Sequence, residues 1–367
     1  MVQAHSTSVS SLHEQWQARI RAAAAKGQPL ALVGAGSKAF YGHRTAGEPL
    51  VLAENQGVVD YEPSELVLTV RGGTPLADIE ALLAEQRQFL AFEPALYGGR
   101  ATIAGAVATG LAGPRRAQAG GLRDFILGAQ LIDGQGRLLN FGGQVMKNVA
   151  GYDVSRLLAG SLGTLGVITQ LSLKVLPLPV AERSLRLELS QAQALKLLNQ
   201  WGGQPLPISA SAWVDGRLYV RLSGAPSALE AAQSFIGGET MPVEQGQRFW
   251  RRLREQEHDW FYPAAYPGHT LWRLSLPSTV EPILKGQPQL IEWGGALRWC
   301  WSAQPAADIR AAVAEFGGTA TAFRPAYDDI PIFHPLEPVV LRLQQRLKQK
   351  FDPAGIFNPG KIYPGAL

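Results

Sequence analysis

Along the chain the apolar positions change period repeatedly. Leu12, Trp16 and Ile20 recur every fourth residue, giving one face of a helix that starts near Ser11 and ends at Gly27-Gln28-Pro29. Residues 30–33 form a short apolar strand that runs directly into a loop of small residues, 34–42. Strands are expected at 57–61 and 66–70, around the turn Glu62-Pro63-Ser64. Helical spacing returns after Thr74, which reads as an N-cap with Pro75 at the first helical position; Leu76, Ile79, Leu82 and Leu83 form the packing face. A short strand at 89–92 follows. A hairpin is then expected from 125–133 through Phe141, turning at Asp133-Gly134-Gln135-Gly136. A helical turn at 152–158 and a strand at 166–175 end this region, and Pro177 and Pro179 mark a boundary near residue 180.

A fresh pattern begins there. Alternation at 183–189, a helix at 191–201, strands at 209–214 and 217–222 around Asp215-Gly216, and a helix at 227–236 approximate half of a ferredoxin-like unit. Residues 249–261 read as an amphipathic helix carrying Trp250 and Trp260. Strands are expected at 271–276, 290–293, 296–301 and 319–323, with a helix at 305–316. A helix at 339–350 leads into a stiff tail of turns, 351–361, which should return to pack on the rest of the molecule.

Composition narrows the picture. The 367 residues exceed what one core usually serves, and 46% hydrophobic with 17% charged residues is an ordinary globular balance. A lone cysteine, Cys300, excludes an intrachain disulfide framework and any all-cysteine iron–sulfur cluster, and no metal site is expected. The formal charge of +4 rests on pairs such as Arg115-Arg116 and Arg251-Arg252, which read as solvated surface, so no nucleic-acid stripe is expected. The N-terminus lacks the pattern of an export signal and no run is long enough to cross a bilayer, so a soluble, cytoplasmic chain is expected.

Three glycine-rich tracts carry the candidate chemistry. Gly34, Gly36 and Ala39 match the dinucleotide spacing, with Glu54 about where a ribose-binding acid would lie. A Rossmann unit needs a crossover helix, however, and Gly42, Gly47 and Pro49 interrupt the only span available for one. An open anion-cradling loop fits better, with a plain structural turn as the alternative. The second tract, 98–110, is small enough for either a flat ligand or a tightly packed helix to approach. In the third, residues 147–169, Gly163 and Gly166 run into Val167-Ile168-Thr169, where backbone would pass close to a cofactor.

The strings LVGAGSKAFYG, TIAGAVATGLAGPRR, GGLRDFILG, FGGQVMKNVAGYDVSRLLAGSLGTLGVIT, GALRW and KQKFDPAGIFNPGK resemble flavoproteins with a PCMH-type FAD-binding domain, the vanillyl-alcohol oxidase superfamily. Within it the chain looks most like the FAD-bearing accessory subunits of bacterial glycolate oxidases. That resemblance implies an α+β fold: a two-part FAD-binding domain over 1–180, a cap with an antiparallel sheet over 181–330, and a C-terminal helix and tail, 331–367, packing back on the first domain. It implies cofactor contacts from Gly34, Ala35, Gly36, Ser37, Lys38 and Gly42, and from Pro94, Thr102, Ile103, Ala104, Gly105, Ala108 and Thr109. Gly113, Asp124, Gly163, Gly166 and Ile168 complete the set, with Lys147, Asn148, Tyr152 and Asp153 either facing the flavin or pinning the loop. Ala104 stands where family members usually carry glycine.

The resemblance also implies oxidation of glycolate to glyoxylate by a complex, and a departure from the family pattern, the absent histidine-rich cluster, suggests that this chain is accessory in it or relays electrons. Its partners would be a homologous catalytic flavoprotein subunit and an iron–sulfur subunit, through which it would associate with the inner membrane. A histidine-rich cluster near a GEHG-like string, expected for hydroxy-acid dehydrogenases of the superfamily, is missing. His258, His269 and His334 are widely separated, share no ligand spacing and read mainly as surface or packing residues. The nearest counterpart is 294–299, where Arg298 would clamp a carboxylate or make a structural salt bridge; Arg324 is similar. Catalytic residues are unassigned. Nine tryptophans, several expected to be exposed in the second region, would suit either a permanent interface or core packing. The alternatives are a self-sufficient FAD-dependent oxidoreductase of another small hydroxy acid or alcohol, and a protein-binding scaffold that has lost its flavin.

Overall fold

The computed structural model describes residues 2–143 and 153–366, with side chains from Ser10 onward. Helix α1 (Val2–Lys26) begins a full two turns before the expected start and buries Trp16, Ile20 and Ala23. Gly27 ends it in the left-handed conformation at φ 61°. Strands β1 (Leu30–Val33) and β2 (Glu48–Val51) pair in parallel, Leu30 opposite Glu48 and Val33 opposite Val51. The connection between them is a loop of turns without a helix, so the dinucleotide-like spacing does not build a Rossmann unit.

An antiparallel five-stranded sheet follows, in the order β3-β4-β8-β6-β7. It contains β3 (Val58–Glu62), β4 (Val67–Arg71), β6 (Ile126–Ile132), β7 (Leu138–Gly142) and β8 (Val167–Lys174). Helices α2 (Leu76–Glu85) and α3 (Ile103–Thr109) pack on it, with Leu76, Ile79, Leu83, Ile103 and Val107 in one core with Leu68, Val70 and Leu171. Thr74 does not cap α2: its hydroxyl donates to Arg71 O at 2.7 Å and accepts from Gly57 N at 3.0 Å, so Pro75 occupies the cap position. The strand expected at 89–92 shrinks to β5 (Gln88–Phe89), because the chain turns away at Glu93, φ 47°. A short helix α4 (Arg116–Ala119) lies between α3 and β6, and β9 (Leu176–Pro177) pairs with β5.

The remaining strands make an eight-stranded antiparallel sheet, ordered β13-β10-β12-β11-β15-β16-β14-β17. Its members are β10 (Ala181–Glu188), β11 (Ile208–Val214), β12 (Arg217–Gly224), β13 (Glu239–Thr240), β14 (Thr270–Ser275), β15 (Gln289–Glu292), β16 (Leu297–Ser302) and β17 (Thr319–Arg324). Strand alternation splits its residues between two faces. One face is covered by α5 (Gln191–Gly202), α6 (Pro226–Ile236) and α8 (Ala306–Ala314) through Leu198, Leu229, Ile309 and Val313. The other presents Ala212, Leu271, Leu297, Trp299, Trp301 and Phe323 to Tyr41 and Leu162 of the first region. The helix expected at 249–261 is α7 (Val243–Arg254), broken by Gln256 at φ 58°, with a separate turn at Asp259–Phe261. The tryptophans are core residues, not an interface: all are buried except the half-buried Trp213.

Helix α9 (Pro338–Phe351) delivers the tail back to β1. Leu30 N donates to Ile356 O at 2.8 Å and Asn358 N donates to Leu30 O at 3.0 Å. The Asn358 side chain then replaces backbone: Oδ1 accepts from Leu32 N at 2.8 Å and Nδ2 donates to Leu162 O at 2.7 Å. Beneath it the buried Lys348 ammonium donates to Asp352 at 2.6 Å, Thr164 O at 2.8 Å and Phe357 O at 2.7 Å. Truncating Asn358 leaves a strand N–H and a loop carbonyl without partners, each worth about 1–3 kcal/mol. Asn358→Ala is therefore expected to lower unfolding free energy by about 3 kcal/mol in urea denaturation.

Candidate functional site

The small-residue loop after β1 opens on a cleft of about 400 Å³. Sequence dictates the opening. Along the tail-facing edge of β1, Leu30 N and Leu32 N are taken, and the next N–H on that edge, Gly34 N, is not. Among the described residues the N–H groups of Gly34, Ala35, Gly36, Ser37 and Lys38 have no protein acceptor, while Ala39 N and Tyr41 N close turns onto Gly36 O and Lys38 O. Successive free N–H groups form a cradle for an anion, and buried backbone donors ordinarily find partners. Gly36 adopts φ 73°, and a Cβ there would meet nothing within 4 Å, so the loop is open and not filled by side chains. A Cβ on Gly34 would sit 3.0 Å from the Thr102 hydroxyl.

The charge on the walls matches. Lys38, Arg44 and Lys361 line the cleft, and among the described residues no carboxylate does. Lys38 is unpaired apart from a 3.5 Å contact with Ser37 Oγ, and its ammonium lies 5.3 Å from the Tyr97 ring centre. Burial pushes its pKa down to about 8, with Glu255 opposing the shift. Burial likewise lowers that of Lys361. Ammonium groups whose charge is disfavoured by burial gain from an anionic ligand.

Opposite the loop, α3 presents Thr102, Gly105, Ala108 and Thr109 to the cleft. Thr102 caps the helix by accepting from Gly105 N at 3.2 Å. The same helix turns Ile103, Ala106 and Val107 into the core, so the small-residue tract packs on one side and lines the cleft on the other. A narrower extension of about 80 Å³ is walled by Ala104, Gly163, Gly166 and Ile168 together with Gly34 and Thr102. Glycine is required at Gly163, φ 72°, where a Cβ would stand 2.8 Å from Asn358 Nδ2. A third chamber of about 330 Å³ shares Tyr41, Thr109 and Leu162 with the main cleft.

The three tracts therefore meet around one space, and most candidate residues border it. Gly42 lies just behind, where a Cβ would stand 3.0 Å from Lys361 O. Four further candidates do not line these cavities. Ile103 and Pro94 are buried, a Cβ on Gly113 would press on Glu93 O at 2.4 Å, and the exposed Asp124 accepts from Gly121 N and faces Arg123. Lys147, Asn148 and Tyr152 lie outside the described residues, and Asp153 pairs with Arg156 at 2.9 Å. Leu162, Asn358, Lys361, Tyr41 and Arg44 line the cleft but were not among the candidates. The Asn-Pro-Gly-Lys string in the returning tail was the signal available for two of them.

On the cap side Arg298 is neither a carboxylate clamp nor a salt bridge. It is fully buried on the helix-covered face and donates to the carbonyls of Gly295, Glu281 and Val280. Arg324 lies over the Phe40 ring at 5.4 Å. His258 accepts from Trp260 N and His334 from Ala320 N, each at 3.3 Å, and His269 contacts Pro267 O. Among the described residues no group of His, Cys, Asp and Glu could hold a metal ion, and no helix is long and apolar enough to cross a membrane.

A family model described as an FAD binding domain matches residues 11–142, which hold the anion cradle and α3. With the α+β architecture, this defines a PCMH-type FAD-binding flavoprotein of the oxidoreductase class. Glycolate oxidase subunit GlcE of Escherichia coli (strain K12) is 47% identical over 335 residues, 91% of this chain and 93% of that protein. The chain belongs to the GlcE family. D-lactate dehydrogenase of Archaeoglobus fulgidus is 30% identical over 165 residues, 45% of this chain but 37% of that protein. A solved alkyldihydroxyacetonephosphate synthase shares the fold, with a TM-score of 0.66 over 97% of this chain and 76% of that one at 15% identity.

Lys38 gives the cradle a titration. Its ammonium is charged below about pH 8 and neutral above, so FAD affinity of the apoprotein is expected to fall as pH rises through that value, with proton uptake on binding. Fluorescence titration across pH 7 to 9 measures this, and Lys38→Met should remove the step.

Proposed function

We propose that this chain is the FAD-bearing accessory subunit of a glycolate-oxidising complex. The observation that carries the reading is the cleft walled by Lys38, Arg44 and Lys361 in which, among the described residues, the loop N–H groups have no partner and no carboxylate takes part. The N–H groups of Gly34 to Lys38, with Lys38 and Lys361, would hold the diphosphate. Thr102, Gly105, Ala108 and Thr109 of α3 would flank it, and the extension bordered by Ala104, Gly163, Gly166 and Ile168 would take a flat ring system. Bound FAD supplies two-electron chemistry, and the chain's own residues bind it, orient it and exclude water.

Three observations favour an accessory over a self-sufficient role. The described histidines of the cap are engaged in packing and capping, and the described residues offer no metal-binding cluster. The lone cysteine is buried, so an iron–sulfur carrier would belong to another polypeptide. The name of the Escherichia coli relative likewise describes a subunit. A homologous catalytic flavoprotein subunit, an iron–sulfur subunit and a cytoplasmic complex resting on the inner membrane complete the proposal. The open loop speaks against a scaffold that has lost its flavin.

The test is glycolate-dependent dye reduction by the isolated chain and by the chain copurified with its partners. Activity is expected only with partners, and losing it when Lys38→Met and Gly34→Val are combined ties the function to this cleft. Full turnover by the isolated chain would overturn the accessory role.

A further inference from the structure

A carboxylate of the cap grips the first region next to the cofactor cleft. Glu255 is the C-cap of α7, and its side chain, only 8% exposed, is held at both oxygens. Oε2 accepts from Leu96 N at 2.8 Å and from Tyr97 N at 2.9 Å. Oε1 accepts from Arg254 Nε at 2.9 Å, and Arg254 is itself paired with Glu80 of α2 at 2.9 Å. The neighbouring Gln256 Oε1 accepts from the Tyr97 hydroxyl at 3.4 Å. The turn thus takes its acceptors from the cap, where unpaired N–H groups would be costly.

The backbone held in this way is strained. Tyr97 sits at φ 47°, a conformation a bulky residue rarely takes, and Gly98 and Gly99 continue at φ 71° and 78° toward Thr102 and α3. Its placement fixes the Tyr97 ring, which lies 5.3 Å from the Lys38 ammonium and meets Phe40 edge-on at 5.9 Å. Lys38 reaches across the cleft, 4.0 Å from where a Cβ on Gly105 would stand. Ser37 Oγ is 3.5 Å away, and Tyr41, Arg44 and Lys361 share the cleft wall with it. Burial pushes the Tyr97 pKa up, so the ring beside Lys38 is neutral. Among the described residues the negative charge acting on Lys38 is that of Glu255, which opposes the lowering of its pKa by burial.

We propose that Glu255 is a positioning residue of the cofactor cradle: from the cap it pins the 94–97 turn, seats the Tyr97 ring beside Lys38 and supplies the negative charge this ammonium faces before a diphosphate arrives. Glu255 does not line the cleft, and it acts through Tyr97 and Lys38. A carboxylate behind the wall favours the charged lysine, and the ring face adds to that, while the surface offered to the ligand stays free of anionic groups. Replacing Glu255 by a neutral residue removes the opposing charge, so Lys38 loses its proton at a lower pH. The inference rests on the reading of this cleft as the FAD site, and it adds that the seating of the cap and the pH range of cofactor binding are linked.

Lys38 itself provides the readout. The full-length chain, stripped of flavin, is acylated with acetic anhydride over a range of pH, and the modified Lys38 peptide is quantified by mass spectrometry. The rate at pH 7 relative to its high-pH plateau gives the fraction of neutral amine. In Glu255→Gln, whose amide oxygen can still accept from the turn, that ratio is expected to rise about threefold or more over wild type. Glu255→Asp keeps the charge but withdraws it by one methylene; it should give a smaller rise, and it serves as the test if the glutamine variant does not fold. FAD affinity of the same proteins, titrated from pH 7 to 9, should fall at a lower pH in the glutamine variant. A wild-type ratio in both variants, including one with an altered plateau from a merely loosened turn, would overturn the role of Glu255. A ratio that depends on Glu255 in a chain that takes up no FAD would uphold it and sink the cofactor reading instead.

Discussion

The side chain of Asn358 decides how far β1 can be paired. It takes the N–H of Leu32 and gives its own to Leu162 O, and beyond that point the tail offers no further acceptor. The strand's edge therefore ends one residue before Gly34, and the loop that follows keeps its N–H groups for something else. The same amide stands 2.8 Å from where a Cβ on Gly163 would be, so one residue near the C-terminus fixes two of the three glycine tracts at once. Behind it the Lys348–Asp352 pair, almost wholly buried, holds the tail in place. The end of the chain is thus part of the wall around the cofactor cleft.

Charge follows the same logic. A loop with free donors and two partly buried lysines, Lys38 and Lys361, gains most from a ligand carrying two adjacent negative charges. The junction between the sheets is handled differently, with Arg115 and Arg221 sharing Glu93 and Glu182 in a closed network. That fixed junction is neutralised within the chain, whereas among the described residues no carboxylate lines the cleft.

Much of this was legible in sequence because alternation and helical spacing are local properties. The strands of both sheets apart from the edge strand β13, the hairpin at Asp133-Gly134 and the returning tail follow from periodicity and turn residues. The missing crossover helix sufficed to separate the loop from a Rossmann unit. Non-local competition was not legible. Thr74 looks like a cap until Gly57 and Arg71 claim its hydroxyl, and Asn358 looks like a turn residue until β1 arrives beside it. Arg298 and Arg273 differ only in which way their strands turn them. Opposite parities put one among backbone carbonyls on the helix-covered face and the other against Trp293.

The family model of an FAD binding domain spans residues 11–142, within which the cradle at Gly34 to Lys38 lies. The direct measurement is the flavin released on denaturing the purified chain, identified by its visible absorbance and quantified against protein. FAD equimolar with the chain, falling sharply in Gly34→Val, is the expected result. A colourless chain that takes up no FAD on reconstitution would contradict it.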